Sequence, residues 1–179
     1  METIENVKER FILHWGEMGT RWGINRTMAQ VQALLFISER PLSADEIMTE
    51  LQISRGNVSM SLRELMTWGI VTKMHIKGER KEFFTTEKDV WELFKIILRE
   101  RKKREIDPTL EVLHEILDLL VDIEHEDKDY LQDQLKTLLE FVETGTSLYD
   151  YTSNLNPINL MKLSRQTLQL AQKVGGQKR

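Results

Sequence analysis

A change of periodicity at Gly69 constrains the fold of this chain more than any other feature. Over residues 55–68 the apolar side chains recur at the three- and four-residue spacing of one helix face. After the glycine, residues 70–76 and 81–86 are rich in β-branched and aromatic side chains and flank a short charged loop. This succession of patterns predicts a helix that is followed at once by a β-hairpin.

Capping residues predict two short helices before the hairpin, joined by a tight turn. Ser43 and Glu46 have the spacing of a capping box, which opens a helix that ends near Leu51. Ser54 is a good N-cap for the second helix, and Gly69 suits its C-terminal end. Helix, turn, helix and hairpin in this order predict a winged helix-turn-helix, in which the hairpin is the wing.

Helical patterns also fill the N-terminal part of the chain. Residues 4–18 and 25–38 predict two amphipathic helices, and Gly16, Gly19 and Gly23 mark a turn region between them. The expected fold class is therefore mainly α with a small β-hairpin wing: a winged helix-turn-helix plus a helical dimerisation region.

Downstream of the hairpin the pattern is helical to the end of the chain. One long helix is expected to stop near Asp107-Pro108. Leucine-rich segments at 110–120 and 131–142 predict an antiparallel helical hairpin, and a final helix is expected at 159–174.

This pattern predicts three parts, the last of which carries apolar stripes that need a partner. A second copy of the chain or packing within one chain would satisfy those stripes. One winged domain makes few contacts, whereas a two-fold dimer reads two half-sites of a palindromic operator about 34 Å apart. The predicted parts are a winged helix-turn-helix domain at 1–88, a linker helix at 89–107 and a helical dimerisation region at 108–179.

Composition excludes several classes of protein. The chain has no cysteine, so disulfides and thiolate chemistry are excluded and a reducing cytoplasm is the expected location. No window approaches the roughly 18 apolar residues that span a bilayer, and the N-terminus lacks the features of a signal peptide. No nucleophile motif, phosphate-binding glycine loop or paired-carboxylate cleft is present, so we expect no enzyme, no catalytic residue and no cofactor.

The net charge of −4 is divided unevenly along the chain. Residues 54–88 contain seven basic and four acidic side chains, and residues 99–104 add a compact basic run. Residues 105–151 contain fourteen acidic side chains and two lysines. Because binding responds to the local field, the basic segment is compatible with nucleic acid despite the acidic total.

The second helix of the helix-turn-helix turns small, polar and basic residues outward when Val58, Leu62 and Leu65 face the core. That composition suits insertion into the major groove of DNA, where a helix must approach base edges closely. A solvated helix face is the alternative interpretation. The predicted DNA-binding residues of this recognition helix, at 54–68, are Ser54, Arg55, Gly56, Asn57, Ser59, Met60 and Arg63.

The loop at residues 77–81 carries three basic side chains in five residues. Such a loop suits the minor groove or the phosphates beside it, so Lys77, Arg80 and Lys81 are also predicted DNA-binding residues. A charged hairpin tip is often only solvated. The loop supports DNA binding chiefly because it lies soon after the recognition helix in the chain.

At these residues the sequence resembles the MarR superfamily of regulators, and within it the GbsR-type branch. The resemblance covers roughly residues 10–105, and beyond Arg104 it is one of helical architecture only. It implies a homodimeric repressor that binds double-stranded DNA and is often tuned by a small-molecule effector, for which no motif here identifies a pocket. The resemblance rests on residues 22–26, 29–36, 54–65, 68–71 and 76–81.

Two other functions stay open. A winged fold also serves as a protein-interaction module, against which the outward polar and basic residues count. Glu111 with His114, and Asp122 with His125, have the spacing of helical-bundle metal ligands, but both pairs lie on one helix or its end, and a solvated face fits them better.

The four tryptophans suggest an aromatic cage for a quaternary ammonium ion, yet each also lies where a core tryptophan is expected. No effector-binding or metal-binding residue is therefore assigned from the sequence.

Overall fold

The computed structural model of the chain describes residues 2–153, and the chain divides into two compact units, Met1–Ile97 and Leu98–Arg179. The described residues are mostly helical, and the final helix predicted at 159–174 lies outside them. The helices and strands, in chain order, are α1 Ile4–Arg21, α2 Arg26–Ile37, β1 Leu42–Ser43, α3 Ala44–Leu51, α4 Arg55–Thr67, β2 Val71–His75, β3 Glu82–Thr86, α5 Val90–Arg101, α6 Asp107–Leu119 and α7 Lys128–Ser153.

Helix α2 forms the centre of the first unit. Val31 and Ala33 are fully buried, and Leu35 is 1% exposed. Helices α1, α3 and α4 and strand β3 all pack against α2. Burial of each large side chain contributes about 1.5–3 kcal/mol, so a shared apolar core fixes the place of α4.

Both predicted helix starts are confirmed. The Ser43 hydroxyl accepts a hydrogen bond from the Glu46 backbone N–H at 3.3 Å, and the Ser43 backbone N–H donates to Glu46 Oε2 at 2.7 Å. Ser54 Oγ accepts from the Asn57 backbone N–H at 3.2 Å and opens α4. Gly69 follows α4 with a φ of +75°, which glycine adopts without strain.

The predicted wing is an antiparallel hairpin of β2 and β3. Val71 pairs with Thr86 at its base, and His75 pairs with Glu82 near its tip. Strand β1 extends the sheet in the order β1-β3-β2, and it was not predicted because two residues carry no recognisable periodicity. Since Ser43 ends β1 and also caps α3, the sheet ties the wing to the helix-turn-helix.

The predicted turn region at Gly16 and Gly19 is wrong, because both glycines lie inside α1, which continues to Arg21. Of the three glycines, Gly23 alone has a positive φ, +75°. Gly19 has a packing role: a Cβ there would lie 2.5 Å from the Cβ of Ala29 in α2. The missing side chain therefore lets α1 and α2 approach closely.

The prediction that the helix after the wing stops near Asp107-Pro108 is also wrong. Helix α5 passes at Arg101 into the π-helical residues Lys102–Ile106, and α6 begins directly after them. Pro108 lies in the first turn of α6, directly after the π-helical residues, and its missing N–H does not end the helix. The proline therefore begins a helix and does not end the helical path.

In the second unit, α6 and α7 form an antiparallel hairpin, as predicted. His114 Nε2 lies 3.5 Å from Glu143 Oε1, and Lys128 Nζ at the start of α7 donates to the Val121 carbonyl at 2.9 Å. The first contact joins the middle of α6 to the later part of α7, and the second joins a residue just after α6 to the start of α7. The two helices therefore run in opposite directions.

Few side chains of the second unit are buried. Leu113 and Leu120 are its buried apolar residues within the described range. The division between the units falls inside the predicted linker helix 89–107, and the predicted domain limits stay predictions. Within residues 2–153, no helix is both long and apolar enough to cross a membrane.

Replacing Gly19 with alanine tests the close contact between α1 and α2. We expect Gly19→Ala to lower the free energy of unfolding by about 1–3 kcal/mol, because the new methyl group meets Ala29 and the helices must separate. Gly16→Ala is the matched control: its Cβ would meet the Cγ of Gln30, a side chain that can move. Urea denaturation at one protein concentration measures both, and equal losses would contradict this account.

The capping box makes stability depend on pH below neutrality. Hydrogen bonds from Ser43 and Arg40 lower the pKa of Glu46 from 4.5 to about 2. A carboxyl group whose folded pKa is depressed stabilises the fold above its unfolded pKa, and this contribution disappears as the pH falls from about 4.5 to about 2. Glu46→Gln should therefore be less stable at pH 7 and lose less stability over that interval, as followed by thermal denaturation. Parallel pH profiles would argue against the cap.

Candidate nucleic-acid interface

Helix α4 buries one face and exposes the other, as predicted. Val58, Leu62 and Leu65 are at most 3% exposed. All ten predicted DNA-binding residues are exposed, and the seven on or next to α4 are Ser54, Arg55, Gly56, Asn57, Ser59, Met60 and Arg63. The structure therefore leaves each of them available to a ligand.

These exposed residues lie along three lines on α4. With about 3.6 residues per turn, the line opposite the buried face runs through Gly56, Met60 and Arg63, which we call the ridge. Arg55 and Ser59 lie on the side that faces the wing. Asn57 lies on the other side, toward the N-terminus of α2.

A cleft of about 520 Å³ separates α4 from the wing. It brings together five of the predicted residues from both elements and adds Lys73 of β2, which was missed. Strand alternation could have indicated Lys73, because it lies two residues from the buried Val71 and therefore on the same face. The charged and polar residues that line the cleft are Ser43, Asp45, Arg55, Ser59, Arg63, Lys73, Arg80, Lys81 and Glu82.

One ion pair connects the wing to α3, and a second connects the two strands of the wing. Lys81 Nζ lies 3.0 Å from Asp45 Oδ2 in α3, and this hydrogen bond lowers the pKa of Asp45. Lys73 Nζ lies 2.9 Å from Glu82 Oε1 on the neighbouring strand, and lowers the pKa of Glu82 likewise. Pairs this exposed contribute little to stability, so their main effect is on the placement of charge.

The arginines of the cleft differ from its lysines. Within residues 2–153, Arg63 and Arg80 have no carboxylate at ion-pair distance. Arg55 helps to lower the pKa of Asp45, though less than Lys81 does. A guanidinium group presents a planar fork of donors that matches a phosphate or the edge of a guanine, and among the described residues neither Arg63 nor Arg80 donates a side-chain hydrogen bond to the protein.

The tip of the wing lies outside this cleft. Lys77 is exposed there, directly before Gly78, whose φ of +91° makes the turn. Whether Lys77, Arg80 and Lys81 contact DNA stays a prediction.

Lys88 has a structural role that the sequence did not reveal. Its ammonium donates three hydrogen bonds to backbone carbonyls at the end of α2, at 2.6 Å to Leu35, 2.8 Å to Phe36 and 2.7 Å to Ser38. Burial lowers the pKa of Lys88. Although Lys88 lies in the basic segment, its donors serve the C-terminal end of a helix, where cations are favourable.

The alternative sites gain little from the geometry. Trp15 donates through Nε1 to the buried Gln32 at 2.8 Å and packs against Trp22 with ring centres 6.2 Å apart, so these rings serve the contact between α1 and α2. Trp68 Nε1 donates to Glu64 at 2.8 Å. In the part of the chain that the structure describes, no three histidine or carboxylate side chains are grouped to hold a metal ion.

Comparison with known proteins agrees with this architecture. Residues 22–81 match the model of the MarR family. The chain is 25% identical over 154 residues to the HTH-type transcriptional repressor GbsR of Bacillus subtilis (strain 168), covering 85% of each protein. It is 24% identical over 94 residues to the repressor OpcR of the same organism, covering 52% of this chain and 51% of OpcR.

The fold is also found among solved structures. A crystal structure of a transcriptional regulator superposes with a TM-score of 0.57 at 20% identity, covering 81% of this chain and 99% of the other. This similarity confirms the predicted fold class. Residues 22–81 match the MarR family of helix-turn-helix transcriptional regulators, and the similarity to GbsR extends over 85% of the chain, which agrees with the prediction of a DNA-binding regulator and not an enzyme.

Proposed function

We propose that this regulator is a cytoplasmic homodimer that binds a palindromic operator and represses transcription, with a small molecule modulating its affinity. The recognition helix at 54–68 reads the major groove, and the wing at 77–81 contacts the adjacent minor groove or its phosphates. One observation carries the proposal: the exposed ridge of α4 and the arginines Arg63 and Arg80, free of carboxylate partners among the described residues, lie on one side of the winged unit.

The geometry of α4 supports this mode of reading. The major groove is about 12 Å wide and admits an α-helix whose N-terminal residues reach the base edges. Asn57 suits an adenine, Arg63 suits a guanine or a phosphate, and the hydroxyl of Ser59 suits a phosphate. The basic side chains of the neighbouring cleft then neutralise backbone charge, which makes the affinity depend on salt.

The exposed apolar residues of α7 support a dimer. Leu131, Leu138, Phe141 and Leu148 are 45–76% exposed and follow one another at the seven-, three- and seven-residue steps of a coiled-coil seam. Gly145 lies on the same seam, and a Cβ there would meet nothing within 4 Å. An apolar helix face with room for close approach fits a second copy of the same helix region, since a two-fold operator requires two identical readers.

The names of the relatives support repression. GbsR and OpcR are both named transcriptional repressors. A protein that occupies an operator excludes other proteins from the same DNA, so binding alone is sufficient for this effect.

Selection from a random duplex library tests DNA reading directly. We expect the purified protein at moderate salt to enrich an inverted repeat whose half-sites are centred about one helical turn apart. Enrichment of a single unrepeated site would contradict the dimeric reader. Absence of enrichment at both moderate and low salt would favour the protein-interaction module instead.

Variants of the two arginines then locate the interface on the selected duplex. The double variant Arg63→Ala/Arg80→Ala should abolish specific binding. Each single variant that removes a phosphate contact should reduce the slope of log affinity against log salt concentration by about one. Arg10→Ala removes an arginine that is 85% exposed on α1 and should leave affinity unchanged. Equal affinity of the wild-type protein, the double variant and Arg10→Ala would refute the assignment of Arg63 and Arg80 to the DNA interface, provided that thermal denaturation shows intact folds.

A charge placed on the α7 seam tests the dimer. Phe141→Glu should convert the protein from twice the monomer mass to the monomer mass in light scattering, because a buried unpaired carboxylate costs several kcal/mol. Ser147→Glu adds the same charge to an exposed residue on another side of α7 and should leave the mass unchanged. A dimer that survives Phe141→Glu would place the interface elsewhere.

A further inference from the structure

The exposure of Met60 is not explained by the fold. Its side chain is 65% exposed, whereas the other large apolar residues of α4 are buried or half-buried. It lies on the ridge, where a polar residue would be equally compatible with the folded chain. An apolar side chain at this position is therefore able to contact a ligand outside the chain.

The surroundings of Met60 limit what that contact is. On one side lies a shallow depression of about 240 Å³, which Met60 lines together with Met28 and with polar or charged residues that include Asn25, Thr27 and Glu64. Arg63 lies beside Met60 on the ridge. A docking site for a protein partner needs a contiguous apolar patch, and the apolar surface here is limited to Met60 and the largely buried Met28. A single small apolar group of the ligand fits this setting better.

Gly56 lies one helical turn before Met60 on the same ridge. A Cβ at Gly56 would meet only Ser54 Oγ, at 3.9 Å, so the folded chain has room for alanine. Alanine is also the better helix former. The fold therefore gains nothing from glycine here, whereas a ligand that approaches the helix backbone closely does.

We propose that Met60 reads the 5-methyl group of a thymine in the major groove, and that Gly56 clears the space in which that base pair is approached. In the major groove the thymine methyl is the one apolar group that base edges present, and a flexible, polarisable thioether adapts well to it. This inference rests on the proposed function, since it specifies one base contact of the recognition helix.

Thymine-to-uracil substitution tests the contact, because it removes the methyl group and keeps every hydrogen bond. Each thymine of the selected half-site is replaced in turn by deoxyuridine, and affinities are measured for the wild-type protein and Met60→Ala. At one position per half-site the wild-type protein should lose about three- to fivefold, as expected for one methyl group. Met60→Ala should bind the thymine duplex more weakly than the wild-type protein does, and at that position it should bind thymine and deoxyuridine equally well.

Two further variants serve as controls. Met60→Leu keeps an apolar side chain and should keep the thymine preference. Met74→Ala removes an exposed methionine of the wing, 41% exposed, and should keep it as well.

Gly56→Ala separates folding from binding. It should leave the melting temperature unchanged or higher, while weakening binding to the selected duplex more than tenfold. Equal affinity of Gly56→Ala and the wild-type protein would overturn the role given to Gly56.

The outcomes that overturn the methyl contact differ from those that overturn DNA reading. Specific binding with no thymine-to-uracil effect, an unchanged effect in Met60→Ala, or an operator without thymine would refute the contact alone. Failure to select any duplex would refute the proposed function together with it.

Discussion

Burial of α2 is the constraint on which the rest of the winged unit depends. This helix has almost no solvent-exposed surface over residues 28–35, and the elements on either side of it are held by contact with it. The contact with α1 is close because Gly19 has no side chain, and it is made directional by the hydrogen bond from Trp15 to the buried Gln32. A polar group at that depth costs free energy unless it is paired, so the bond also fixes the register of the two helices.

Placement of α4 and the wing around this core determines how charge is displayed. Strand β1 ends where α3 begins, at Ser43, so the sheet of the wing and the first helix of the helix-turn-helix share an attachment point. Asp45 and Glu82 pair with the lysines of the cleft, whereas within residues 2–153 no carboxylate lies at ion-pair distance from Arg63 or Arg80. A chain with an acidic total can therefore present a locally basic surface, because the nearby carboxylates pair with the lysines and lie farther from Arg63 and Arg80.

Local chemistry explains which features were predictable from the sequence. The caps at Ser43 and Ser54, the glycine after α4 and the alternation in the hairpin depend on a few neighbouring residues, and the exposed face of α4 follows from its apolar stripe. Other features depend on residues far apart in the chain. Gly19 is explained by Ala29, and Lys88 by carbonyls some fifty residues earlier, so neither could be interpreted from its neighbours. Helical continuation through Pro108 depends on where the first turn of α6 begins, which the proline itself does not specify.

The ammonium of Lys88 has three protons, and three carbonyl oxygens at the end of α2 accept them. Its hydrogen-bonding capacity is thus saturated, and it can offer a phosphate only its charge. The same saturation has a mechanical result. The three bonds tie one nitrogen, two residues before α5, to the C-terminal end of α2. The connection that leads into α5 is therefore anchored on the central helix of the winged unit.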